Sequence, residues 1–207
     1  MRRRHVAFAL LIDFDGVLRH YDQQLSAQIE ERHGLPPGAF LEAGLEWTRY
    51  IPAVTGNWTR SQWLDAIAEA TGAPREAVLE WDAYRGYIDH EVLGFVREVR
   101  AAGRPVGLAT NATTDLRDDL SRFDLDHEFD AVISSAELGH HKPSKEFFLA
   151  ACAAVGTKPE MVLFVDDTDR NVQGARACGL SAMRFTGLGD LRYIRAALGV
   201  SAQPPVM

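Results

Sequence analysis

Apolar positions in this chain fall into two patterns. Short unbroken runs stand at Ala7–Ile12, Pro105–Ala109, Asp130–Ser134 and Met161–Val165, with a weaker fifth at Ser181–Phe185. Apolar runs of this length without alternation predict strands buried on both faces. Helical periodicity separates the last four runs. It covers Asp115–Phe123, then Pro143–Val155 with Pro143 at the first helical position, then Arg170–Cys178 stopped by Gly179. Strand–helix alternation of this kind predicts an α/β fold, a parallel-sheet core with helices on both faces.

Between the first and second runs the pattern changes. Residues 18–89 offer no convincing strand. Helical patterns fit Gln24–His33, Pro37–Trp47, Thr59–Ala70 and Pro74–Tyr84. The third opens on a capping box, Thr59-Arg60-Ser61-Gln62, and sets Trp63, Ile67 and Ala70 on one face. A strand-to-strand crossover does not need so long a connection. The stretch reads as a helical insert, giving a core of residues 1–17 and 89–207 and an inserted segment of residues 18–88. Asp89–Ala102 is the helix leading back into the second strand.

Composition narrows the class. With 207 residues, 46% of them hydrophobic and 25% charged, the chain is an ordinary globular protein. No apolar run approaches the roughly 18 residues of a membrane helix. The formal charge of −7 argues against nucleic acid as a partner, which calls for a dense basic patch. The only basic cluster is Arg2-Arg3-Arg4. The apolar stretch behind it is too short for a signal peptide and no small-residue cleavage site follows, so it reads as a solvated start. Cys152 and Cys178 lack metal-ligand spacing and read as small buried residues of a reduced, cytoplasmic protein.

In an open parallel sheet, ligands bind beyond the carboxyl ends of the strands. Those ends carry Asp13 and Asp15, Thr110 and Asn111, and Asp166 and Asp167, while Lys142 opens the helix after the third strand. Such a convergence is not a packing pattern. Two carboxylates ~4 Å apart repel by about 4 kcal/mol at an effective dielectric of 20. The site therefore needs a cation, and oxygen-only donors suit Mg²⁺. Lys142 adds positive charge, and the Asp13–Gly16 turn offers backbone amides to an anion. Together these groups describe a phosphate site with one carboxylate to attack and another to move a proton.

These motifs, Asp13-Phe14-Asp15-Gly16-Val17, Thr110-Asn111, Lys142-Pro143 and Asp166-Asp167, stand in the order and strand context of the haloacid dehalogenase superfamily. The resemblance runs from about Phe8 to Phe185. The insert resembles that superfamily's small helical cap, and the core its Rossmann-like domain. Gly56-Asn57-Trp58-Thr59, His141-Lys142-Pro143-Ser144 and Val165–Val172 further resemble the bacterial sugar-phosphate phosphatases.

The resemblance implies Asp13 as a nucleophile forming an aspartyl-phosphate and Asp15 as the acid and base. It implies Mg²⁺ held by the Asp13 carboxylate, the Asp15 backbone carbonyl and Asp167, with Asp166 direct or through water. Thr110 and Lys142 would bind the phosphoryl oxygens, supported by Asn111. The implied activity is hydrolysis of small phosphorylated metabolites such as sugar phosphates. A phosphomutase is the nearest alternative; a 2-haloacid dehalogenase and a non-catalytic phospholigand-binding module are further ones. Dehalogenases of the superfamily have a non-acid where this chain has Asp15. Schiff-base phosphonate hydrolases carry a cap lysine, and residues 18–89 contain none. His140 and His141 read as loop histidines. Trp63 reads as core; Trp47, Arg49, Tyr50 and Trp58 flank Pro52 and Gly56 in a loop and read either as ordinary packing of the insert or as a cover over substrate, with Arg49 available to an anionic group.

Overall fold

A computed structural model describes residues 6–200, so the Arg2–Arg4 cluster lies outside the described residues. The five apolar runs form one parallel sheet. Its strands are β1 (Ala9–Ile12), β4 (Val106–Thr110), β5 (Ala131–Ser134), β6 (Val162–Asp166) and β7 (Ser181–Arg184), in the order β5-β4-β1-β6-β7. β1 lies at the centre, pairing Leu11 with Gly107 on one side and with Phe164 on the other. Its side chains alternate between two apolar layers. Leu10 and Ile12 join the cluster under α6 (His90–Ala101), α7 (Leu116–Arg122) and α11 (Leu191–Leu198). Ala9 and Leu11 join the cluster under α9 (Lys145–Ala154) and α10 (Asp169–Ala177). Gly107 is required by that second layer. A Cβ there would stand 2.8 Å from both Leu11 and Val155 side-chain carbons.

The segment between β1 and α6 holds five helices: α1 (Gln23–Arg32), α2 (Ala39–Leu45), α3 (Trp47–Val54), α4 (Arg60–Thr71) and α5 (Arg75–Ala83). They share a third apolar cluster that includes Ile29, Phe40, Trp63, Leu64, Ile67 and Val78. The Thr59–Gln62 capping box forms as expected. Ala70, expected on the buried face, is exposed, and Leu64 takes its place.

Several local expectations change. The single helix expected over Pro37–Trp47 breaks at Glu46, which takes an extended backbone and accepts from Thr48 N at 3.1 Å. Trp47, Arg49 and Tyr50 therefore lie in helix α3, not in a loop. Two short strands, β2 (Arg19–His20) and β3 (Tyr87–Ile88), pair antiparallel where no strand was expected, tying together the chain's exit from and return to the core. Two residues per strand are too few to show periodicity. Pro143 is not the first helical residue. Ser144 caps α9 through Phe147 N, and Lys142 stands in the loop before it, beyond the short α8 (Ser135–Leu138). Cys152 is buried, whereas Cys178 is partly exposed. No helix among the described residues is long and apolar enough to cross a membrane.

Candidate active site

Asp13 follows β1 directly and is 6% exposed. One carboxylate oxygen, Oδ1, accepts from Phe14 N at 2.7 Å and lies 2.7 Å from Lys142 Nζ. The lysine ammonium also donates to Asp166 Oδ2 at 2.6 Å, so it bridges two carboxylates from β1 and β6. After Phe14 the chain doubles back: Leu18 N and Arg19 N both donate to the Phe14 carbonyl. Gly16 sits in this turn at φ 80°, and a Cβ there would overlap the Asp167 carboxylate. The glycine thus serves both the turn and the approach of β6 to β1.

Asn111 has a defined task. Its Oδ1 accepts from Lys142 N at 2.7 Å, and its Nδ2 donates to the Lys142 carbonyl at 3.1 Å. Both backbone groups of the lysine are therefore fixed from the end of β4, where Thr110 is buried beside the site. Asn111 Nδ2 also donates to Tyr50 Oη at 3.1 Å, joining α3 of the helical segment to the core. Asp166 is fully buried, and its oxygens take Lys142, Thr168 N at 2.8 Å and Asn171 Nδ2 at 3.1 Å. Its carboxylate is committed to holding the lysine and the start of α10.

Burial drives the Asp13 carboxyl well above the usual carboxylate range; the adjacent Lys142 opposes the shift and Asp166 adds to it. Burial works to lower the Lys142 value, but Asp13 and Asp166 outweigh it and the net direction is up. Asp167 is raised by burial and by Asp166. Asp13, Asp166 and Asp167 each present an oxygen within 4.8 Å of the others. This is a hard, oxygen-only donor set that fits Mg²⁺, with Asp13 and Asp167 the less committed members.

Asp15 points to the other side of the turn. Arg19 grips it with a two-pronged contact, Nε to Oδ1 at 2.6 Å and Nη2 to Oδ2 at 3.0 Å, while lying over the Phe14 ring. Sequence reasoning did not find Arg19, since a lone arginine in a short strand carries no pattern. Nor did it give a task to Asn171, four residues beyond the Asp166-Asp167 pair. Beside these groups opens a cavity of about 950 Å³ between the sheet edge and the helical segment.

Of the expected covering residues, only Tyr50 lines the cavity. Arg49 is turned away, its Nε donating to the Ala43 carbonyl at 2.5 Å, so it is not open to an anion there. Trp47 is exposed, edge-on to His141 and near Arg170, and Trp63 is core. His140 and His141 lie in a loop.

The model of the haloacid dehalogenase-like hydrolase family matches residues 9–179. The chain belongs to this family. Phosphoserine phosphatase of Thermus thermophilus is 33% identical over 151 residues, covering 66% of this chain and 61% of the relative. The alignment thus spans less than two thirds of that protein. A family enzyme of Bacteroides thetaiotaomicron, solved with magnesium and inorganic phosphate, superposes with a TM-score of 0.75 at 21% identity, over 91% of this chain and 98% of that one. The L-2-haloacid dehalogenase of Xanthobacter autotrophicus superposes with a TM-score of 0.67 at 24% identity, over 96% and 85%. At such identities the two structures speak for the hydrolase fold of this chain, which serves more than one chemistry.

Proposed function

We propose that this haloacid dehalogenase-like hydrolase is a Mg²⁺-dependent phosphatase of small phosphorylated metabolites. The observation that carries the reading is the pairing of two unlike carboxylates on one turn. Asp13 is buried against an ammonium group that can bind phosphoryl oxygens. Asp15, two residues on, is partly exposed and borders the cavity. Displacement at carbon with loss of halide needs no proton donor, whereas release of an alcohol from phosphorus does.

In this reading the Asp13 carboxylate attacks phosphorus as the bond to the alcohol oxygen breaks. Asp15 gives that oxygen its proton. Asp15 then takes a proton from water, the water oxygen attacks phosphorus, and the aspartyl–oxygen bond to phosphorus breaks to release phosphate. Lys142 and Thr110 hold the phosphoryl oxygens, and Asn111 keeps Lys142 in place. Asp13 and Asp167 would hold Mg²⁺, which would supply charge neutralisation between carboxylate and phosphate. Both Asp15 oxygens face Arg19 in the present arrangement, so proton transfer requires one of them to leave that contact. Residues 18–88 act as a cap that encloses the alcohol part, and Tyr50 couples its position to Asn111 and Lys142.

The test is release of inorganic phosphate from small phosphate esters with and without Mg²⁺. Release is expected to require the metal and to fall at least 1000-fold in Asp13→Asn. Metal-independent release, or an active Asp13→Asn protein, would overturn the reading. Interconversion of esters without net phosphate release would identify a mutase instead.

A further inference from the structure

The cavity's charges divide into two halves. Near β1, Lys142 answers Asp13 and Asp166, and the set Asp13, Asp166 and Asp167 could hold a cation. The far half, under the helical segment, is where the alcohol part of an ester would lie. It holds three arginines: Arg19 from β2, Arg60 from α4 and Arg85 before β3. Three arginines in a phosphatase cavity invite the reading of a second anion site. Their contacts argue otherwise.

Each guanidinium nitrogen of the three already faces an acceptor. Arg19 spends two on Asp15 and the third on Asp119 at 2.5 Å. Arg85 donates to Asp82 at 2.8 Å, to Asp115 at 2.7 Å and to Asp119 at 2.7 Å. Arg60 donates twice to Asp82 and once to Thr113 Oγ1 at 2.9 Å. Arg19 and Asp119 are 5% and 4% exposed, so their contact is largely shielded from water. The cavity as a whole is lined by seven carboxylates against four permanent cations, and two of the carboxylates, Asp13 and Asp167, belong to the metal set. The rest of the lining is apolar or neutral, with Leu41, Leu45, Val54 and Trp81 on the helical side.

An added carboxylate or phosphate in the far half would therefore meet Asp82, Asp115 and Asp119, with every lining guanidinium held by at least one carboxylate even when an Asp15 oxygen leaves Arg19. To bind, it would have to compete with part-buried Asp82 or Asp115, or with buried Asp119, for an arginine, leaving that carboxylate unpaired. We propose that the protein selects phosphate monoesters whose alcohol part carries no net negative charge. The inference rests on the phosphatase reading of the same cavity. The arginines order the junction between the helical segment and the core and screen its aspartates; they do not recruit a second anion.

The experiment is a set of steady-state assays of the full chain with Mg²⁺. Glycerol 2-phosphate and a hexose 6-phosphate present uncharged alcohols. O-phosphoserine presents a net-neutral one, and 2-phosphoglycolate and a hexose bisphosphate present anionic ones. We expect kcat/KM for the anionic esters to be at least tenfold lower, with most of the difference in KM. In Asp82→Asn, which takes a carboxylate from Arg60 and Arg85, the ratio of anionic to uncharged kcat/KM should rise at least fivefold. Equal or better use of the anionic esters by the unaltered protein would overturn the inference, as would an unchanged ratio in a folded Asp82→Asn protein. If no ester is hydrolysed, the phosphatase reading fails. Thermal shifts given by the same esters with Mg²⁺ then decide the inference alone. Stabilisation by uncharged esters above anionic ones supports it, and the reverse order or no stabilisation overturns it.

Discussion

Lys142 is the residue on which the site turns. Its ammonium lies 2.7 Å from Asp13 and 2.6 Å from Asp166, and its side chain is 1% exposed. Replacing it with methionine keeps the length and removes the charge, leaving two buried carboxylates facing each other. Breaking a buried ion pair in this way costs about 3–5 kcal/mol. Urea unfolding of Lys142→Met should show a loss of that order without Mg²⁺. Part of it should return on adding Mg²⁺, because a cation at Asp13 answers the same repulsion. A variant as stable as the parent would show that the two carboxylates need no counter-charge from the lysine. The importance of Lys142 was legible in the sequence because lysine is scarce in this chain and this one follows a strand aligned with other polar strand ends. Its geometry was not. That its backbone is held by Asn111 and its side chain by Asp166 follows from strand order β4-β1-β6, which no local pattern states.

Elements were legible where one physical signal dominated. β1, β4 and β6 are short apolar runs because both their faces are covered, and a helix such as α4 opens on a capping box that forms. Legibility failed where tertiary contacts decide. Glu46 breaks one expected helix into α2 and α3 by capping the second, although its neighbours favour continuing. The β2–β3 pair exists because residues 19–20 and 87–88 meet at the base of the helical segment, with Arg19 pairing Ile88, 69 residues further along the chain. α3 also shows what fixes that segment over the site. Gly56, just after it, has φ 74°, and a Cβ there would strike the Ala136 carbonyl in α8. Gly56→Ala should cost about 1–2 kcal/mol for the left-handed backbone alone. The collision should also push α3 away from the core, disturbing Tyr50 and its bond to Asn111. Under the proposed function, phosphate release should then fall by more than the stability loss explains, with the protein still folded by circular dichroism. Full activity in a folded variant would show that α3 does not position the site.

At the scale of the whole molecule, the helical segment meets the core through charges that respond to acid. Asp115, at the start of α7, lies 2.7 Å from Arg85 and 3.9 Å from Arg60. Burial acts to raise its carboxyl, but Arg60, the Thr113 hydroxyl and Arg85 outweigh burial and leave it below its ordinary value. A carboxyl whose folded pKa is depressed stabilises the fold fully above its unfolded value of about 3.9, and the contribution is lost as pH falls through the folded value. Acid should therefore loosen the junction below about pH 4. The apolar layers on the two faces of the sheet carry no such dependence and should persist to lower pH. The chain separates the two events optically. All four tryptophans, Trp47, Trp58, Trp63 and Trp81, belong to the helical segment, whereas far-ultraviolet circular dichroism reports every element. On acid titration the tryptophan emission should shift before the helical dichroism is lost. Asp115→Asn, which cannot lose a charge, should shrink that early step. Coincident transitions in the parent protein would mean that helical segment and core unfold as one unit and that the ionic junction sets neither.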